Sequence, residues 1–216
     1  MEVIELDFTI KKSVENAIDK ICRTISTNGV CVIPTDTLYG ISARICEETI
    51  GRIFEIKRRP AGKPIPILVD SFEMLRKVAI FDSRIEELMR KLWPGPISVI
   101  LPKADGIPDS LTANTRKIMV RIPDNSFLVE IIRRIDAPIT STSANISGSG
   151  EVLDGSLLIK EFEEVSQRPD LVVDGGVLRS GLPSTILDLS SGNPRIVRFG
   201  AYPKEKVECV LGSERL

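Results

Sequence analysis

The stretch K-R-R-P-A-G-K-P-I-P-I-L-V, residues 57–69, joins a dense group of cations to an apolar run. Four cations fall within its first seven residues, and Pro60 and Gly62 end any helix that enters it. The apolar residues at 65–69 predict a buried strand. A charged loop between a helix and a strand can hold an anionic ligand, although a charge run is more often a solvated face. Whether this stretch is an anion-binding loop or a solvated face depends on which other polar loops lie beside it in the fold.

Helices and strands alternate irregularly on both sides of this stretch. Helices are predicted from Ser13 to Gly29 and at 47–57, 71–79, 82–92, 125–135, 156–164 and 204–211. Besides 65–69, strands are predicted at 30–34, 41–45, 97–101, 117–123, 137–142, 171–174, 184–189 and 194–199, with a weak edge strand at 2–10. Several adjacent strands are joined by short loops. The pattern predicts an α+β fold (α/β type), a twisted mixed β-sheet flanked by helices.

Composition limits the classes of function. The 216 residues predict a single domain over 1–216 with a core at roughly 10–200. The net charge is −1, so any polyanion site must come from local clustering of cations. The chain contains no histidine, which excludes Ser-His-Asp triads, Cys-His pairs and histidine-based zinc sites.

Cysteine usage and hydropathy predict a cytoplasmic protein. The four cysteines form no C-x-x-C pair, which favours free thiols in a reducing compartment over a metal site or disulfides. No apolar run approaches the length of a membrane span, and the N-terminus lacks the apolar core of a signal peptide.

Three polar segments flank predicted apolar strands: Thr35–Thr37, Ser143–Asn145 and the region before Ser184. Ligands of open α/β sheets favour the carboxyl ends of strands, but each segment alone is more typical of a turn. Arg121 and Arg198 interrupt apolar strands, and each either faces solvent or binds a carboxylate or phosphate bidentately.

The standard nucleotide-binding glycine motifs are missing. There is no G-x-x-x-x-G-K-[ST] loop, and no G-x-G-x-x-G opens a helix. If a nucleotide binds, its phosphates must be held mainly by side-chain cations together with a metal ion. The loop 57–63 is the densest supply of such cations.

Six motifs in collinear order resemble the threonylcarbamoyl-AMP synthase (YrdC-like) family over nearly the whole chain. They are P-T-D-T-L-Y-G (34–40), K-R-R-P-A-G-K-P-I (57–65), W-P-G-P (93–96), V-R-I-P (120–123), S-T-S-A-N-I-S-G (141–148) and P-S-T-I-L-D (183–188). The K-x-R and S-x-N signatures of the family are present as Lys57-x-Arg59 and Ser143-x-Asn145. The whole set is a strong signal, whereas each motif alone would be weak.

The resemblance implies a fold, a reaction and partners. The fold would be YrdC/RibB-like, with a deep basic concavity. The enzyme would join L-threonine, bicarbonate and ATP, with Mg²⁺, into threonylcarbamoyl-AMP and pyrophosphate. The product would serve the threonylcarbamoyladenosine modification of tRNA, which makes tRNA and downstream modification proteins candidate partners. No membrane partner is expected.

The resemblance also implies roles for individual residues. Nucleotide and phosphate binding is expected of Lys57, Arg58, Arg59, Gly62, Lys117, Ser143, Asn145 and Arg198. Threonine binding is expected of Thr35, Arg121, Thr140 and Ser184. Lys57 and Arg59 are the expected catalytic residues, and no protein side chain is assigned to a metal.

Two departures from the family pattern stand out. Some relatives have a histidine near the positions of Ile67 and Leu68, which this chain replaces. Longer relatives append a second domain after a linker, whereas this chain ends at Leu216 and resembles the short single-domain form.

The chemistry is compatible with a site that lacks histidine. A carbamate formed from the threonine amine is already an anion, so it can attack the α-phosphorus of ATP without a base. The site must then position two anions and neutralise the phosphates. We expect Arg121 to clamp the threonine carboxylate and Thr35 or Ser184 to bind its hydroxyl. Asp36 is either a base, a ligand of metal-bound water or a turn residue.

Two alternatives come from other classes of protein. The first is a non-catalytic double-stranded RNA or tRNA-binding module of the same fold, which would bind RNA with a steep salt dependence. The second is a carbamoyl-transfer domain of a larger protein. The net charge argues against the first, and the lack of zinc-type cysteine pairs argues against the second.

Overall fold

The computed structural model describes residues 1–60, 62–148, 150–179 and 181–213. Ala61 of the basic loop and Ser149 of the serine-rich loop lie outside the described residues. The helices are α1 (Lys11–Ser26), α2 (Glu47–Lys57), α3 (Phe72–Arg76), α4 (Ser83–Leu92), α5 (Ser126–Ile135), α6 (Gly155–Glu163) and α7 (Lys204–Ser213). The strands are β1 (Glu2–Glu5), β2 (Cys31–Ile33), β3 (Gly40–Ser42), β4 (Ile67–Leu68), β5 (Ile97–Pro102), β6 (Lys117–Arg121), β7 (Ile139–Thr140), β8 (Thr142–Ser143), β9 (Leu171–Asp174), β10 (Thr185–Asp188) and β11 (Arg195–Arg198).

The strands form two mixed sheets. One has the order β1-β9-β2-β3-β8 and the other the order β11-β10-β5-β6-β4-β7. Parallel pairs such as β4 with β6 lie beside antiparallel pairs such as β5 with β6. The predicted fold class is therefore confirmed, but the β structure is divided between two sheets.

The division runs through the predicted strand 137–142. Ile139–Thr140 pairs with β4, whereas Thr142–Ser143 pairs with β3 of the other sheet. Between them, Ser141 donates its backbone N–H to the Pro66 carbonyl at 2.8 Å. The sequence reads as one extended run, and only tertiary hydrogen bonds make it change sheets.

Strand β4 is shorter than its apolar run. Ladder pairing covers only residues 67–68 of the predicted 65–69, and Ile65 donates to the Leu111 carbonyl instead. Pro64 and Pro66 lack the N–H groups that a longer ladder would need. The run is nevertheless buried, with Ile65, Ile67 and Leu68 each at most 1% exposed.

Helices bury their apolar faces against the sheets and one another. Helix α1 buries Ala17, Ile18, Ile21 and Ile25, and it contacts α5. Burial of each isoleucine contributes about 1.5–3 kcal/mol relative to exposure. This packing fixes the sheet edges from which the polar segments project.

Candidate functional site

A cleft of about 290 Å³ is lined by residues from both sheets. Its polar wall consists of Thr35, Thr37, Arg59, Lys63, Ser98, Arg121, Ser141, Thr142, Ser143, Glu151, Ser184 and Arg198. Its apolar wall includes Leu38, Pro64, Pro66, Leu68, Met119, Pro183 and Ile186. Segments that are distant in the chain and that the sequence had marked separately therefore meet at one site.

The basic loop begins where α2 ends. Arg58 is exposed and takes the left-handed conformation at φ 48° that closes the helix. Arg59 turns into the cleft and donates from Nη2 to the Pro64 carbonyl at 3.0 Å. Burial lowers the pKa of Arg59, and Lys63 lines the same wall. Arg59 and Lys63 thus bring positive charge into the cleft.

Lys57 is not an exposed member of this loop. It is 1% exposed, and Nζ donates to the Ser143 carbonyl, to the Asn145 carbonyl at 2.8 Å and to Asn145 Oδ1 at 3.1 Å. Burial, together with the nearby Arg59 charge, lowers the pKa of Lys57 to about 8. As far as the described residues go, its side chain is not part of the cleft wall. Its catalytic and nucleotide-binding roles stay predictions.

The serine-rich loop is held in a defined shape. Ser143 donates from Oγ to Asn145 Oδ1 at 2.7 Å, and Ala144 donates its N–H to the Tyr39 carbonyl at 2.7 Å. Ser143 lines the cleft, while Asn145 supports the loop from a half-buried position. The two residues of the S-x-N signature therefore have different surroundings.

The loop after β2 is a hydroxyl-stabilised turn. Thr35 Oγ1 donates to the Leu38 carbonyl at 2.5 Å and accepts the Thr37 N–H at 3.0 Å. The turn hypothesis is thus correct for this segment. Thr35 also lines the cleft, which keeps its predicted contact with threonine available.

Arg121 and Asp36 form a buried ion pair. Arg121 Nη1 lies 2.7 Å from each carboxylate oxygen of Asp36, and the side chains are 5% and 13% exposed. Because both contacts use Nη1, a clamp on a second carboxylate would use Nε and Nη2. Asp36 is thus the ion-pair partner of Arg121, a role that was not among those expected from the sequence.

Ser184 and Arg198 close another part of the wall. Ser184 Oγ lies 2.9 Å from Ser98 Oγ, and the Ser184 carbonyl accepts from Arg198 Nη2 at 2.8 Å. Partial desolvation of the guanidinium by the cleft walls lowers the pKa of Arg198, whereas the Glu151 carboxylate opposes that shift. Arg198 is exposed and lines the cleft, so its guanidinium is accessible to an anion.

Lys117 and Thr140 are further predicted site residues that do not line the cleft as described. Lys117 begins β6, four residues before Arg121, and it pairs with Asp188 at 3.1 Å. Thr140 is fully buried, and its Oγ1 accepts the Ala43 N–H at 2.9 Å. Lys117 and Thr140 thus have structural partners within the protein, and their predicted ligand contacts stay predictions. Gly62 is exposed in the basic loop and is likewise not part of the wall as described.

Sequence reasoning missed several wall residues. Ser98 is a polar residue within the apolar strand β5, which is a usable signal. Gly40 leaves space, since an added Cβ would lie 3.2 Å from Ser141 Oγ and 3.3 Å from Thr35 Cγ2. Glu151 follows a glycine-rich loop and had no distinguishing pattern.

Neither a metal-binding side-chain cluster nor a membrane-spanning helix occurs in the described part of the chain. There, no group of three or more His, Cys, Asp or Glu side chains is arranged to hold a metal ion. None of the described helices combines the length and apolarity needed to cross a bilayer.

Comparison with known proteins identifies the family. The Sua5/YciO/YrdC family model, which carries the description telomere recombination, matches residues 23–200. The chain belongs to this family. The resemblance inferred from the motifs is therefore confirmed.

Individual members of the Sua5/YciO/YrdC family are similar to this chain in sequence and in structure. A threonylcarbamoyl-AMP synthase of Pyrococcus abyssi is 35% identical over 85% of this chain and 54% of its own length. A Methanocaldococcus jannaschii relative is 32% identical over 96% of this chain and 95% of its own length. The crystal structure of P. abyssi Sua5 complexed with L-threonine superposes with a TM-score of 0.87 at 31% identity, over 98% of this chain and 61% of that one. The chain thus spans a little over half the length of the P. abyssi relative.

Proposed function

We propose that this chain is an L-threonylcarbamoyladenylate synthase, a nucleotidyltransferase that converts L-threonine, bicarbonate and ATP into threonylcarbamoyl-AMP and pyrophosphate. The observation that carries the proposal is the wall on which Arg59, Lys63 and Arg198 meet small hydroxyl side chains. Such a wall suits a triphosphate beside a small hydroxylated amino acid. Membership in the family of the threonine-bound Sua5 supports the same substrate.

The chemistry asks little of the protein in proton transfer. The ammonium of free threonine, whose pKa lies above the value of about 7.7–8.0 for the α-amino group of a chain, first loses its proton to solvent. The neutral nitrogen then bonds to the carbon of bicarbonate, and water leaves to give the carbamate. The carbamate oxygen then forms a bond to the α-phosphorus, and the bond to the bridging oxygen of pyrophosphate breaks. Positioning and charge neutralisation supply the catalysis of such phosphoryl chemistry.

Each part of the cleft has a role in this reaction. Arg59, Lys63 and Arg198 neutralise the phosphates, and the Ser143 hydroxyl turns its one O–H from Asn145 Oδ1 to them when the nucleotide binds. Thr35 and Ser184 bind the threonine hydroxyl, while Nε and Nη2 of Arg121 bind its carboxylate. Asp36 holds the Arg121 guanidinium in place through Nη1.

Mg²⁺ would enter with ATP and add to the neutralisation of the phosphates. This cation usually takes one or two carboxylates, substrate phosphates and several waters. The donor set fits such a nucleotide-borne ion, because Glu151 and the wall hydroxyls supply oxygen ligands without a dedicated cage.

The product implies the partners. Threonylcarbamoyl-AMP is an activated acyl-type donor, so a transferase that modifies tRNA adenosine must consume it. We therefore propose tRNA-modification proteins and tRNA as downstream partners, acting in the cytoplasm.

The test measures pyrophosphate release with each substrate omitted in turn. We expect release only when ATP, L-threonine and bicarbonate are all present. Release of pyrophosphate without threonine would overturn the proposal that the chain is a synthase. Absence of release, together with RNA binding that weakens steeply with salt, would favour the non-catalytic RNA-binding module.

A further inference from the structure

Lys57 is a buried cation whose donors all point to one loop. A lysine ammonium has three N–H donors. Three oxygens surround it, namely the Ser143 carbonyl, the Asn145 carbonyl at 2.8 Å and Asn145 Oδ1 at 3.1 Å. The side chain is 1% exposed, and a buried charge requires partners of this kind. Donors and acceptors therefore match in number, which leaves no N–H for a phosphate.

The end of α2 holds the same loop through its backbone. Ser147 donates its N–H to the Lys57 carbonyl at 2.8 Å. Carbonyls in the last turn of a helix lack intrahelical partners, so this bond satisfies one of them. Lys57 thus contacts both ends of the segment 143–147, although it lies 86 residues before Ser143 in the chain.

The two cations that follow Lys57, namely Arg58 and Arg59, have different surroundings. Arg58 is exposed, and Arg59 lines the cleft next to Ser143 in the wall. Arg59 can therefore contact a phosphate in the cleft. The Lys57 ammonium instead donates its hydrogen bonds to the loop that carries Ser143.

We propose that Lys57 is a positioning residue, which locks the Ser143–Asn145 segment to the end of α2 so that Ser143 faces the cleft. It acts on the nucleotide through Ser143 and does not contact it. The effect on the nucleotide rests on the proposed function, but the lock itself is a property of the ligand-free protein.

The first test uses the ligand-free chain. Backbone hydrogen exchange of Ala144 and Asn145, whose amides are both hydrogen-bonded, is compared in the wild type and Lys57→Met. We expect exchange about tenfold faster or more in the variant, since local opening is easier without the ammonium. Amides of Leu171–Asp174 should stay unchanged, as should the whole pattern in Lys77→Met, an exposed lysine at another helix end.

A uniform increase in exchange, or none, would overturn the lock. If Lys57→Met does not fold, Lys57→Gln replaces it in the same comparison, because its amide keeps two donors. We then expect a smaller acceleration confined to the same two amides.

The second test is a double-mutant cycle on ATP affinity. Lys57→Met and Ser143→Ala are measured alone and together. If Lys57 acts through Ser143, the double variant should bind ATP within about twofold of Ser143→Ala alone. Losses that multiply would mean that Lys57 contacts the nucleotide directly. A wild type that binds no ATP would refute the proposed function, and the exchange experiment would still decide the lock.

Discussion

Arg121 lies in the cleft wall with one nitrogen already bonded to the Asp36 carboxylate. A guanidinium presents donors in a planar fork, so one edge can hold Asp36 while the other faces a ligand. The buried pair fixes the orientation of that second edge. At the scale of single residues, the proposed function depends on such pre-oriented donors, which would position and neutralise anions in a chain that has no histidine.

The clamp on threonine is tested with Arg121→Lys. Lysine keeps the charge beside Asp36 but loses the second edge, so we expect the KM for threonine to rise by roughly 10–100-fold, which matches one charge-assisted hydrogen bond. Kinetics of pyrophosphate release against threonine concentration measure it. Arg133→Lys, an exposed arginine elsewhere, is the matched control. An unchanged KM for threonine in Arg121→Lys would refute the clamp.

At the scale of elements, the cleft depends on where the chain changes sheets. Helix α2 could be predicted to the residue, because its apolar spacing and the following Pro60 are local signals. The change at Ser141 could not, since it depends on a hydrogen bond to Pro66 from a distant segment. The burial of Lys57 could not be predicted for a related reason: a cation within a charge run resembles its solvated neighbours until tertiary contacts bury it.

The junction between the sheets is tested with Thr140→Val. The change removes Oγ1, which accepts the Ala43 N–H, and leaves that buried donor unpaired. We expect a loss of about 1–3 kcal/mol in the free energy of unfolding, with the KM for threonine unchanged. Denaturant unfolding measures the first quantity. Thr27→Val, which removes an exposed hydroxyl that only donates to the Arg23 and Thr24 carbonyls and leaves no buried N–H unpaired, should destabilise the protein less than Thr140→Val. If Thr140→Val instead raised the KM for threonine and left the free energy of unfolding unchanged, Thr140 would be a threonine ligand.

At the scale of the whole molecule, the site is assembled from segments that only the complete fold brings together. Thr35, Arg59, Ser143 and Arg198 come from four separate stretches, yet all line one cleft. The motifs allowed the sequence to predict most of these residues. Glu151 could not be predicted, because its place in the wall follows from loop geometry and not from any local pattern.

Following the carbon of bicarbonate tests most directly whether the protein makes threonylcarbamoyl-AMP. The protein is incubated with ATP, Mg²⁺, L-threonine and ¹³C-labelled bicarbonate, and the products are separated and weighed by mass spectrometry. We expect threonylcarbamoyl-AMP that carries the label, with pyrophosphate as the co-product. Hydrolysis of ATP to ADP or AMP with no labelled adenylate would contradict it.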